Sequence, residues 1–271
     1  LTEAYDEEIP GQAVEVRGFH DFAIAALQVS MRSPMFFDSS LALSHTLLTM
    51  LGVEVSVQFE APVPRQVPLL VVSNHRSFLD APLLITTLNH SVRFACHHYM
   101  SQVPGLREFV TALGCFPLDS PDQRHHTFFD RATRLLQSQE IVGIFPEGTQ
   151  SMIDVPNPDE FRSFHRGFAH LALRAPIENL TILPMAIVSS DESQGPVAPL
   201  QLFQWFDPSE PLFKQSGWHP AVVYHRVEVR VGTPIPVTEA LREQYRGKQG
   251  RRLAHDLTQT CSDSVAQLLH A

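Results

Sequence analysis

Two short apolar runs, each ending in a polar turn, constrain this chain more than any other feature. Leu69-Leu70-Val71-Val72 leads into Asn74-His75-Arg76-Ser77-Phe78-Leu79-Asp80, and Ile141-Val142-Gly143-Ile144 leads into Phe145-Pro146-Glu147-Gly148-Thr149. Short runs rich in Leu, Ile and Val read as strands buried on both faces, as in parallel sheets. Each turn then heads toward a helix. In open α/β sheets that strand-end position is where active-site residues gather.

The texture around both runs extends the pattern. Val53–Phe59, Leu69–Ser73, Val92–Ala95, Cys115–Leu118, Ile141–Phe145, Leu180–Ile187 and Val222–Gly232 read as strands. Helices are expected from about Asp80 to Asn89, around Pro104–Leu113, over Gln123–Gln139 and Gly167–Arg174, and from about Pro236 onward. This alternation predicts an α/β fold, with a mostly parallel central sheet covered by helices on both faces. Residues 189–220 are rich in Pro, Ser and Gln and read as an insertion with few regular elements.

Residues 1–51 are set apart from the α/β domain of 52–271. An acidic arm, residues 1–18, precedes Phe19, Phe22, Ala23, Ala26 and Leu27, which fall on one helical face. Leu43, Leu47, Met50 and Leu51 repeat the pattern. Such a helix pair either packs on the domain's own core or lies in a membrane interface as a platform. Both readings stay open, with Phe36-Phe37 at the connecting turn favouring the second.

Composition narrows the partners. A net charge of −9 argues against nucleic acid, whose binding needs a basic surface. Arg242, Arg246, Lys248, Arg251 and Arg252 form a basic run near the end, read as a solvated helix face rather than an anionic-lipid contact. Cys96, Cys115 and Cys261 show no CxxC spacing, so neither a disulfide framework nor a zinc site is expected. No signal-peptide pattern is visible in the acidic first residues. The charge-free stretch from Ser39 to Val53 falls short of the roughly 20 apolar residues a membrane span needs.

His75 and Asp80 are the first candidates for chemistry. With His on the turn after a strand and Asp in the first helical turn, the carboxylate can fold back onto the imidazole. Such a pair is a general base for a hydroxyl, because the carboxylate fixes the tautomer and stabilises the imidazolium. Spacing alone does not select it, since His125 and Asp130 repeat the interval inside a polar helix. Position does: the first copy sits at a strand end. A covalent route finds no support, because G-x-S-x-G is absent and Cys115 reads as a small core residue. His97-His98 and His125-His126 point apart on regular structure, and no H-E-x-x-H occurs, so no metal and no other cofactor is expected. In the second segment, Gly148 permits close backbone approach to a ligand, and Thr149, Gln150 and Ser151 offer polar contacts.

These residues carry a resemblance. The chain resembles the glycerolipid acyltransferases, the family that includes the bacterial 1-acylglycerol-3-phosphate acyltransferases, over about residues 50–190. Four blocks occur in the family's order. They are the H-x4-D block Asn74–Asp80, then Gly114-Cys115-Phe116-Pro117-Leu118-Asp119-Ser120, then Phe145–Ser151, then Ile182-Leu183-Pro184-Met185-Ala186-Ile187. Phe164-His165-Arg166-Gly167 also resembles the family's basic F-K-x-G stretch. The resemblance implies His75 as the base that deprotonates an acceptor hydroxyl, Asp80 as its support, and Glu147 and Gly148 in the acceptor site. Asn74, Arg76, Ser77, Thr149, Gln150, Ser120 and Arg166 complete the expected binding residues, with Arg76 placed to contact a phosphate. The implied donor is an acyl thioester of coenzyme A or acyl carrier protein. The implied acceptor is a lipid met at a membrane surface, with the protein peripheral or monotopic on the cytoplasmic face. Backbone N–H groups at the helix start after His75 are expected to receive the oxyanion.

Two departures bear on the acceptor. Where the family has Arg at the end of the second block and after E-G-T in the third, this chain has Ser120 and Gln150. Neither replaces a guanidinium that grips phosphate bidentately. A lysophosphatidic acid-like acceptor is implied by family. A neutral one, such as a diacylglycerol, a lyso-glycolipid or a prenyl quinol, is its rival, and a non-catalytic lipid-binding module is the alternative from another class.

Overall fold

The computed structural model describes residues 39–119, 124–148, 154–206, 208 and 210–271. The acidic arm, the helix expected at Phe19–Leu27, the turn at Phe36-Phe37, and Ser120, Thr149 and Gln150 lie outside the described residues. Among those described, eight strands form one sheet: β1 Glu54–Phe59, β2 Leu69–Ser73, β3 Val92–Cys96, β4 Phe116–Pro117, β5 Ile141–Ile144, β6 Thr181–Pro199, β7 Trp218–Val231 and β8 Ile235–Pro236. Their order is β1-β7-β6-β2-β5-β3-β4, with β8 on β6. The pairings of β2 with β5 and β6, of β3 with β5 and β4, and of β1 with β7 are parallel. Only β6 with β7 and with β8 runs antiparallel among the described strands. The sheet is mostly parallel, as the strand–helix alternation predicts.

Strand β2 sits in the middle and is buried along its whole length. Side chains alternate across a strand, so its residues divide between two cores. Leu70 and Val72 join Val142 and Ile182 under α5 (Gly167–Arg174) and α8 (Gly250–His270). Leu69 and Val71 join Leu183 and Met185 under α1 (Ser39–Met50) and α2 (Asp80–Leu88). The remaining helices are α3 (Leu106–Ala112), α4 (Arg124–Gln137), α6 (Leu200–Phe203) and α7 (Glu239–Arg246). Helix α2 stops at Asn89, whose left-handed backbone (φ 48°) closes the last turn.

Helix α1 packs on α2. It turns Ser40, Ser44 and Leu48 inward, and the Ser40 hydroxyl meets that of Ser91 at 2.6 Å. Small side chains let the two helices approach closely. Leu43 and Leu47 are half-buried against the same core, while Met50 is exposed.

The segment 189–220 corrects an expectation. Instead of an irregular insertion, β6 continues to Pro199 and β7 begins at Trp218, making a long antiparallel ribbon. Its first half reads Ser189-Ser190-Asp191-Glu192-Ser193-Gln194, with no apolar alternation to announce a strand. A two-stranded ribbon largely open to solvent does not need that alternation, because the backbone ladder is indifferent to side-chain polarity. Register shifts at Ser189–Glu192 and at Pro196/Ala198 absorb the irregularities.

Candidate active site

The parallel register places the two motif segments side by side. Val72 lies opposite Ile144, so the chain leaves β2 and β5 at the same edge and in the same direction. On the other flank Ser73 lies opposite Met185, and β6 runs on past the loop that follows β2. The loop of residues 74–79 is therefore held between the β5 turn and the extended part of β6.

Within that loop, His75 Nδ1 is 2.8 Å from Asp80 Oδ2. Asp80 is fully buried, at 0% exposure, whereas the His75 side chain keeps 19%. The buried carboxylate is well supplied with donors. Its Oδ2 also accepts the backbone N–H of Arg76 at 2.7 Å and of Ser77 at 2.8 Å, and its Oδ1 accepts the Tyr224 hydroxyl at 2.8 Å. An ionised carboxylate only accepts hydrogen bonds, so Nδ1 is the donor in this contact, which in the neutral ring leaves the lone pair on Nε2. That is the tautomer a general base requires.

Glu147 reaches the same loop from β5. Its Oε1 accepts the backbone N–H of His75 at 2.7 Å, and its Oε2 accepts that of Arg162 at 2.7 Å. Burial pushes its carboxyl above the usual range, against the two backbone donors and the nearby imidazole, which pull it down. The carboxylate thus joins the base loop, the β5 turn and the 154–166 segment at one point. Gly148 follows with φ +75°, a conformation costly for any other residue, and a Cβ there would stand 3.3 Å from the His165 ring.

The other expected binding residues are placed as follows. Asn74 is buried and exchanges two hydrogen bonds with the Ile187 backbone, 2.9 Å from Nδ2 to the carbonyl and 2.8 Å from the N–H to Oδ1. The Ser77 hydroxyl donates to the Val222 carbonyl at 2.6 Å and accepts from the Leu79 N–H. Arg76, with 3% exposure, forks onto Glu192 at 2.6 and 2.8 Å and donates from Nε to the Pro156 carbonyl. Arg166 is exposed at the start of α5. The side chains of Asn74, Arg76 and Ser77 are therefore engaged by the protein itself.

Four of the N–H groups at that helix start are engaged as well. The N–H groups of Arg76 and Ser77 point at Asp80, that of Leu79 at Ser77 Oγ, and that of Asp80 at the Ser77 carbonyl. Folding the carboxylate back over its own loop draws these amides inward. An oxyanion received there would have to compete with these bonds.

Aromatic rings and ribbon residues shape the surroundings of His75. The His75 ring stacks on Phe145 with centroids 4.1 Å apart and planes 10° from parallel. Phe145 stacks in turn on Phe94, at 5.0 Å and 8°. Phe94 fits only because residue 143 is glycine, since a Cβ there would stand 2.2 Å from its ring. Tyr224 and Glu192 come from the ribbon. Sequence carries no signal for their contacts, because each partner lies more than a hundred positions away. Phe145 opens the third motif block itself.

Thiol chemistry is disfavoured. Burial pushes the thiols of Cys96, Cys115 and Cys261 up to about 12, which keeps them un-ionised at neutral pH.

The Acyltransferase family profile matches residues 54–188, which span β1 through the first part of β6 and hold both motif loops. The chain belongs to the acyltransferase family. The fold agrees. The crystal structure of the 1-acyl-sn-glycerophosphate (LPA) acyltransferase PlsC from Thermotoga maritima superposes with a TM-score of 0.54 over 92% of this chain and 87% of that one, at 16% identity. No curated protein matches in sequence. For an acyltransferase the geometry has a direct chemical meaning. The His75 imidazole is oriented by a buried carboxylate and stacked on an aromatic ring.

Proposed function

We propose that this acyltransferase moves a fatty acyl group from a thioester, of coenzyme A or acyl carrier protein, to a hydroxyl of a glycerolipid-type acceptor. The observation that carries the reading is His75, oriented through Nδ1 by buried Asp80 beside Glu147. The acceptor O–H gives its proton to His75 Nε2 as the oxygen bonds to the thioester carbonyl carbon. Collapse of the tetrahedral intermediate breaks the C–S bond, and the sulfur leaves with the proton returned by the imidazolium. No covalent enzyme intermediate is needed. Glu147 acts here as a positioning residue for the His75 backbone. His75→Ala in the folded chain is expected to lower acyl transfer about 10³-fold. Undiminished turnover overturns the mechanism, and lipid binding without thiol release in the unmodified chain favours the non-catalytic alternative.

Two acceptor classes compete. A lysophosphatidic acid-like acceptor is supported by the motif resemblance and by the activity named for the Thermotoga fold neighbour. A neutral acceptor is favoured by Ser120 and Gln150 and by Arg76, whose guanidinium is already forked onto Glu192. Mass spectrometry of products from one reaction offered lysophosphatidic acid, diacylglycerol and a lyso-glycolipid together separates them. We also propose peripheral or monotopic contact with the cytoplasmic face of a membrane, where such acceptors reside. No helix among the described residues is long and apolar enough to cross one. Co-sedimentation with vesicles, with and without residues 1–51, tests that contact.

A further inference from the structure

The ribbon touches the base loop at three points. Glu192 on β6 forks onto Arg76, the Val222 carbonyl on β7 accepts from Ser77, and the Tyr224 hydroxyl on β7 donates to Asp80. Glu192 and Tyr224 are directly opposed in the antiparallel register. Opposed residues project from the same face of a sheet, so the pair forms one clamp. We propose that Tyr224 is a positioning residue for acyl transfer, holding the Asp80 carboxylate through Oδ1 so that Oδ2 stays aligned with His75 Nδ1. This inference rests on the reading of His75 as the base.

The geometry favours this role over simple filling of the core. Asp80 Oδ2 has three donors within 2.8 Å, all from its own loop, whereas Oδ1 is met by Tyr224 from across the domain. A carboxylate gripped on one oxygen can rotate about its Cβ–Cγ bond; gripped on both, it cannot. The Tyr224 ring is 1% exposed among the apolar residues beneath α2. Burial, with Asp80 beside it, raises the Tyr224 hydroxyl well above 10.0, so it remains a donor over the working range of the reaction.

The test uses the full chain with Tyr224→Phe, which keeps the ring and removes the hydroxyl. The kcat is expected to fall about tenfold, the loss of one hydrogen bond to a charged group, with KM within about twofold. The acid limb of kcat/KM should move to higher pH, because a carboxylate short of one donor favours the imidazolium. Arg76, Glu147 and Glu192 keep their partners in this variant. In an Asp80→Asn background the same change should cost nothing further in kcat, whereas a merely structural role would add to the loss. A folded Tyr224→Phe with unchanged kcat and pH profile overturns the inference. If Tyr224→Phe does not fold, fluorotyrosine placed at 224 changes the hydroxyl's acidity without changing the ring's packing. An unmoved pH profile then overturns the inference equally. Absence of acyl transfer by the unmodified chain would remove the reading of His75 itself, so the two failures are distinct.

Discussion

The two halves of the sheet divide the work differently. The parallel half, β2, β5 and β3, carries the candidate site: His75 and Asp80 after β2, Glu147 after β5, and the Phe94–Phe145 stack that backs the imidazole. The antiparallel half, β6 and β7, contributes Glu192, Val222 and Tyr224, which hold the loop that carries His75. One half brings chemistry to the strand ends, and the other fixes its geometry. If the division is sound, damage to the parallel half should cost more turnover than damage to the ribbon, whose loss should also shift the pH dependence.

The largest effect is expected at Asp80. Asp80→Asn replaces an acceptor-only group with one that donates, within reach of two backbone N–H groups and the Tyr224 hydroxyl. It also removes the charge that stabilises the imidazolium. A kcat loss of about 10³-fold is expected, measured as thiol release from an acyl thioester in the presence of acceptor. A loss under tenfold in folded protein would move the base away from His75.

Glu147→Gln should come next. Each carboxylate oxygen accepts a backbone N–H, and an amide can serve only one of them. The donor left unpaired costs about 1–3 kcal/mol of stability, read by denaturant unfolding. Turnover should fall with it, because one of those N–H groups belongs to His75. Gly143→Ala follows. Its Cβ would overlap the Phe94 ring, and overpacking of this kind costs about 1–3 kcal/mol. Because Phe94 backs Phe145 and Phe145 backs His75, kcat should drop more than stability alone explains.

The parallel half was legible because its physics is local. Strands buried on both faces must be apolar runs, and β2, β5 and the helix at Gly167–Arg174 stand where those patterns put them. The pairing of His75 with Asp80 was legible for a related reason, since a loop spanning a separation of five can close only a few ways. What stayed hidden was long-range. Strand status for Ser189–Gln194 depends on a partner strand rather than on alternation, and Tyr224 meets Asp80 across 144 positions. The inward roles of Asn74, Arg76 and Ser77 were hidden likewise, because their partners, Ile187, Glu192 and Val222, all lie on the ribbon or its approach.

The smallest effect tests the ribbon directly, through the Arg76–Glu192 pair. Burial alone would raise the Glu192 carboxyl, but the hydrogen bonds and charge of Arg76 outweigh it and hold the group below its ordinary value of 4.5. A carboxyl lowered by folding contributes stability that is present above that ordinary value and lost as pH falls through the folded one. Glu147, raised by burial, works in the opposite sense, its contribution fading as pH rises through its folded value. Glu192→Gln should therefore lower Tm by a few degrees at neutral pH, and the gap to the unmodified chain should narrow below about pH 4.5. A gap that stays constant down to pH 3 would mean that the ribbon holds the base loop by packing and backbone contacts, with the ion pair contributing only shape.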